Sequence, residues 1–163
     1  VNTRNDSPEV AEAAGDELTA APLYEILRLR VDVFVVEQEC PYPEIDGRDL
    51  SPDTRHFWVR GRDGVDGYLR VLAGQEGVRR VGRVCTSGGA RGSGLGAHLM
   101  RAAMAHIGDR ESVLDSQVYA TGFYARFGYR TEGEEYLEDG IPHVVMRRPA
   151  GSPVSEPGPA PSR

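Results

Sequence analysis

Between Thr54 and Ser87 the chain reads TRHFWVRGRDGVDGYLRVLAGQEGVRRVGRVCTS. Aromatic and β-branched runs are broken there by GRDG and GQEG. Turns that short and glycine-bearing join antiparallel strands. The stretch therefore predicts a three-stranded meander over residues 54–61, 64–73 and 78–86. The residues after Ser87 narrow the fold further. ARGSGLGAHLM opens a helix over 91–108, with Leu95, Leu99, Ala102, Ala103 and Ile107 on its apolar face. SVLDSQV, residues 112–118, then reads as a strand. A strand, a helix and a strand in succession make a βαβ unit with its two strands parallel. A meander feeding one such unit gives a mixed α+β sheet, not a doubly wound one.

The flanking segments complete that plan. TAAPLYEILRLRV, residues 19–31, carries apolar residues at helical spacing, with Thr19 as N-cap. A polar loop rich in proline, glycine and acids comes next, and a short helix within it is compatible with its start. ATGFYARFGY reads as a short helix stopped by Gly128, and strands over 129–137 and 142–148 are joined by EDG. PEVAEAAGDEL is a poor strand sequence, so the expected order begins with the helix. Residues 1–148 are expected to form one domain. Residues 149–163, with five prolines in fifteen residues, read as a disordered tail.

Composition removes several classes of function. The net charge is -6, which argues against a general nucleic-acid binder. All 19 basic residues are arginine. With no lysine, the chain has no Schiff-base lysine and no phosphate-loop lysine. Cys40 and Cys85 form no CxxC pair, so a metal site is not expected. No signal-peptide profile and no apolar run of membrane-spanning length is visible, which reads as a cytoplasmic protein with no membrane partner.

The glycine loop is the strongest chemical signal. A triphosphate-binding loop would need G-x-x-x-x-G-K-[ST], which a lysine-free chain lacks. Gly92, Gly94, Gly96 and Ala97 do satisfy G-x-G-x-x-G/A, and Asp115 lies about 20 residues on. In the dinucleotide pattern, however, the glycines come directly after the strand end, whereas SGGA intervenes here. The hairpins before the loop also belong to a different fold. Read from Arg91, the same residues give R-x-x-G-x-G before an amphipathic helix. That pattern resembles the coenzyme A loop of the GNAT superfamily of N-acetyltransferases. GFYARFGY, about thirty residues later, is similar to the second signature of that superfamily. LRLRVDVFVVEQECPYPEIDGRD, TRH, GRV, RGSGLG and EDGIPHVVM together resemble the ElaA-type branch. The likeness spans about residues 17–148.

The resemblance implies acetyl-CoA as co-substrate and a role for specific residues. Val84, Cys85 and Thr86 would bind pantetheine by strand-like hydrogen bonds. The amides around Arg91, Gly92, Ser93, Gly94, Leu95, Gly96 and Ala97 would take the pyrophosphate at a helix start. An amide near Val84 would stabilise the thioester oxyanion. Tyr124 would stand near the sulfur and serve the departing thiolate. The family glutamate of the fourth strand has no counterpart in VRRVGRVCTS. Glu37, His56 and His143 are the candidate bases, beside deprotonation through water. His98 and His106 read as surface or packing residues, and Arg126 as a solvated arginine that could reach the cofactor's ribose phosphate. The acids between Glu37 and Asp53 either line the acceptor side or form a solvated loop. Neither cysteine has the context of a nucleophile.

The expected activity is therefore acetyl transfer to an amine, small-molecule or peptide, by direct attack in a ternary complex. A coenzyme A-binding regulatory module and an acyltransferase using longer acyl groups are the alternatives. The resemblance permits a monomer or a homodimer.

Overall fold

A computed structural model describes residues 7–153. Seven strands form one mixed sheet in the order β1-β2-β3-β4-β5-β7-β6. In chain order the elements are β1 (Ala11–Ala14), α1 (Ala20–Val31), β2 (Arg55–Arg60), β3 (Val65–Ala73), β4 (Arg79–Thr86), α2 (Leu95–Ile107), β5 (Ser112–Gln117), α3 (Thr121–Ala125), β6 (Arg130–Glu138) and β7 (Ile141–Arg148). The meander and the parallel β4–β5 junction are those the glycine spacing predicts.

One strand precedes the order read from the sequence pattern. Ala11–Ala14 pairs antiparallel with β2, Ala11 opposite Trp58 and Ala14 opposite Arg55. An edge strand needs backbone partners on one side only, so alanine and glutamate suffice despite weak β preference. Gly15 ends this strand. Its N–H donates to the Thr54 carbonyl at 2.9 Å. A Cβ there would collide with the carbonyl oxygens of Asp49 and Ser51, so only glycine fits against that backbone.

The chain divides into two compact units. The first comprises the residues through Arg70 together with Arg83–Ala102. Its core gathers Ile26 and Leu29 of α1, Val33, Trp58, Val65, Tyr68 and Cys85, with Ala11, Ala13, Leu18 and Phe34 against it. Beyond α1 the chain winds on as a π-helical stretch, Asp32–Glu37. The Cys40 amide closes it on the Val35 carbonyl at 3.1 Å. Gly67 lets the start of α2 lie close on β3: a Cβ there would meet Leu99 at 3.0 Å.

The second unit comprises Val71–Gly82 and the residues from Ala103 onward. β5 pairs along its length with β7, and β7 with β6. Buried Ser112 and Tyr129 hydrogen-bond at 2.8 Å. The wholly buried Arg148 donates to Gly108 and Ser152 carbonyls at 3.1 and 2.6 Å. Gly151 N–H reaches the Asp109 carbonyl at 2.8 Å. These bonds tie down residues 149–153. The rest of the expected disordered tail, 154–163, lies outside the described residues.

The second helix also begins later than 91. Gly88–Ala90 forms a 3₁₀ turn, and α2 starts at Leu95. Gly92 and Gly94 take φ of +77° and +84°, which no right-handed helix contains.

Candidate active site

The end of β4 and the start of α2 build the glycine loop within the first unit. Ser87 anchors it: its N–H donates to the Asp66 carbonyl at 2.8 Å, and its Oγ to the Asp66 carboxylate at 2.9 Å. Ser93 N–H donates back to the Ala90 carbonyl at 3.3 Å, and the amides of Ala97 and His98 donate to the Gly94 carbonyl. Leu95 and Gly96 are the first two residues of α2, where no preceding turn supplies carbonyls for their N–H groups. Residues 91–94 are exposed. The result is an accessible loop of small residues with amides and a helix dipole at its end, suited to an anion.

Val84, Cys85 and Thr86 close β4 just ahead of it. Cys85 is buried, and burial pushes its thiol well above the usual range, so it is no nucleophile. The parallel register of β4 with β5 covers Arg79 with Ser112 and Arg80 with Val113. Three residues on, Arg83 takes φ of +56° inside the strand. A left-handed residue in a strand has the backbone of a β-bulge, a device that bends a strand and breaks its ladder.

The base candidates lie in unlike settings. His56 is completely buried. Its Nε2 donates to the Asp49 carbonyl at 2.8 Å, so its Nδ1 accepts from Tyr68 OH at 2.7 Å. Burial lowers its pKa, and both nitrogens are engaged. In this setting neither ring nitrogen of His56 is open to a substrate amine. Glu37 is exposed and binds Arg91 of the glycine loop at two points, 2.5 and 2.7 Å. The hydrogen bond from Arg91 holds its carboxyl below the usual range. His143, in the second unit, donates from Nδ1 to the Ile141 carbonyl at 2.8 Å, which leaves Nε2 as the acceptor. That nitrogen lies 3.7 Å from Glu138, and the ring stacks on Tyr136.

Tyr124 is half-buried on α3, also in the second unit. Its ring meets the edges of Phe123 and Tyr129, and its carbonyl accepts from Phe127 N–H at 2.9 Å. Backbone and neighbouring rings thus fix its direction.

The acidic loop is solvated only in part: Glu37, Glu39, Asp46 and Asp53 are exposed, but its other two acids are not. Glu44 and Asp49 are buried. Arg30, wholly buried, donates to both, at 2.6 Å each. Arg70 binds Asp49 at 2.9 Å and both oxygens of Asp46, and Arg83 binds Glu44 at 2.8 Å. Three arginines thus neutralise three acids, while the Asp49 Oδ2 and Arg70 Nε have no hydrogen-bond partner. The sequence reading missed this network. Its visible trace was Arg70 in the middle of the apolar run GYLRVLA, where a lone charge requires a partner. Among the described residues no group of three His, Cys, Asp or Glu side chains is placed to hold a metal ion. No described helix is long and apolar enough to cross a membrane.

Residues 29–149 match the family model of the acetyltransferase (GNAT) domain. A UPF0039 protein of Mycobacterium tuberculosis is 52% identical over 145 residues, covering 86% of this chain and 93% of that one. The protein ElaA of Escherichia coli is 41% identical over 138 residues, covering 81% and 90%. Its crystal structure superposes with a TM-score of 0.82 at 36% identity, over 87% of this chain and 99% of that chain. The crystal structure of an acyl-CoA N-acyltransferase from Pseudomonas aeruginosa gives 0.80 at 43% identity, over 87% and 99%.

Proposed function

The chain belongs to the GNAT family of acetyltransferases, and on that premise we propose that it transfers an acetyl group from acetyl-CoA to an amine. The observation that carries this reading is the loop 91–94: exposed, bent by two left-handed glycines, and opening directly into the helix at Leu95. Such a loop fits a pyrophosphate through backbone amides, with no lysine required.

Acetyl-CoA supplies the thioester, and the residues of this chain do the rest. The amides of Leu95 and Gly96 take phosphate oxygens. Val84, Cys85 and Thr86 hold the pantetheine arm along β4, and the Val84 N–H donates to the carbonyl oxygen as negative charge develops there. The amine nitrogen attacks the carbonyl carbon, the C–N bond forms and the C–S bond breaks. Tyr124 O–H gives its proton to the departing sulfur. The proton lost by the amine passes to His143 Nε2 or to water. What supports His143 is its fixed tautomer, with Nδ1 committed to a carbonyl. Attack is direct, because Cys85 is buried with a raised pKa and offers no acyl carrier.

Thiol release from acetyl-CoA across a panel of small and peptide amines tests the reading. Turnover with at least one amine is expected, with no acetyl adduct on the protein in its intact mass. Coenzyme A binding without turnover on any amine would instead mean a binding module. A higher rate with a longer acyl chain would move the assignment from acetyl to that acyl group.

A further inference from the structure

The motifs LRLR and PYPEIDGRD have no part in the acyl-CoA reading, yet in the fold they converge on Arg83, the residue of GRV that precedes Val84. Arg83 is the non-glycine residue of β4 held at φ of +56°. A side chain with a Cβ carries backbone strain in that region, which contacts around it can offset. Here its Nε donates to the Glu44 carboxylate at 2.8 Å and its Nη2 to the Glu44 carbonyl at 3.3 Å. Asp46 lies 3.6 Å from the same Nη2, and the guanidinium sits over the Tyr42 ring, 5.7 Å from its centre. Glu44 is itself immobile. It is buried, accepts from Tyr42 OH, and is gripped by buried Arg30 through both its carboxylate and its carbonyl.

Glycine would adopt the bulge conformation without help. Arginine instead makes the bulge conditional on loop 42–46, which supplies both of its anchors. The next peptide after the bulge belongs to Val84. We propose that Arg83 is a positioning residue: anchored on Glu44, it holds the β4 bulge so that the Val84 N–H faces the thioester oxygen. This rests on the acyl-CoA reading of the same site. The role runs through the backbone and requires no contact between Arg83 and the substrate.

The test compares wild type, Arg83→Ala and Arg83→Gly in thiol release, alongside coenzyme A affinity and melting temperature. Arg83→Ala loses the anchor and disfavours the bulge. Its kcat is expected to fall on the order of 10- to 100-fold, short of the roughly 100- to 1,000-fold seen when an oxyanion donor is removed outright, with the acyl-CoA KM within about threefold. Arg83→Gly loses the anchor but accepts the conformation, so its kcat should exceed that of Arg83→Ala severalfold. A purely structural role would show in the melting temperature, where glycine again fits the left-handed backbone better than alanine, and would leave the kcat of the folded protein unchanged. Arg83→Ala with wild-type kcat, or Arg83→Gly no better than Arg83→Ala, would overturn the proposal. Should these variants not fold, Tyr42→Ala removes the ring and hydroxyl that brace the pair from a half-buried position. A fall in its kcat at constant KM supports the proposal, and an unchanged kcat overturns it. Wild-type protein that releases no thiol would overturn the acyl-transfer reading, and this inference with it.

Discussion

Arg91 and Glu37, 54 positions apart in the chain, meet in a two-point ion pair at 2.5 and 2.7 Å. Arg91 begins the glycine loop and Glu37 ends the π-helical stretch. The carboxylate therefore sets a negative charge beside a site proposed for a polyanion. Glu37→Gln should lower the acyl-CoA KM by about two- to fivefold at low ionic strength, and the gain should fade near 0.5 M salt, where screening is short-ranged. Steady-state kinetics in a salt series measures this. A raised KM at low salt would show that the pair orients Arg91 rather than muting it.

Tyr124 is held by Phe123 and Tyr129 at ring edges, so removing its hydroxyl leaves the packing intact. Tyr124→Phe should reduce kcat on the order of 10- to 100-fold while acyl-CoA affinity stays within about twofold. Unchanged turnover under conditions where chemistry limits the rate would remove Tyr124 from the mechanism.

Arg30 is wholly buried between Glu44 and Asp49. Arg30→Met leaves both carboxylates short of a counter-charge in the interior. Breaking a buried pair in this way costs about 3–5 kcal/mol, or a fall in Tm of about 10 °C for a chain of this size. Urea and thermal unfolding would show it. A change under about 1 kcal/mol would mean that Arg70 and Arg83 compensate.

Stability should fall in two stages as the pH is lowered. His56 has its pKa lowered by burial, so the unfolded chain binds a proton that the folded one refuses. That contribution is complete above about pH 6.5 and erodes as the pH falls. The hydrogen bond from Arg70 depresses Asp46. Burial pushes Asp49 up, but the hydrogen bond and charge of Arg30 outweigh it and leave that carboxyl depressed. The contribution of the two aspartates is complete above about pH 4 and is lost below it. His56→Gln should flatten the stability profile between pH 7 and pH 5 and leave the drop below pH 4 in place. A profile unchanged by that substitution would show that His56 does not titrate on unfolding.

The meander, the βαβ junction and the glycine loop were legible in the sequence because each depends on local order. Strand alternation, glycine turns and a helix start are written within a few residues of one another. The loop could even be assigned an anion, since glycines and a helix N-terminus act through the backbone. β1 was not legible, because its stability comes from pairing with β2 and its own residues have no preference to display.

The side-chain chemistry of the first unit belonged to the tertiary structure alone. Glu37 and His56 both stood as candidate bases, and the loop acids as either an acceptor-side lining or a solvated loop. Folding placed His56 between Tyr68 and Asp49, Glu37 on Arg91, and Glu44, Asp46 and Asp49 on three arginines drawn from α1, β3 and β4. Whether an ionisable group serves as a base, an anchor or a counter-charge depends on its burial and its partner, and here most partners lie ten to fifty residues away in the chain. Periodicity specifies which face a residue occupies; only the packed fold specifies which charge it meets there.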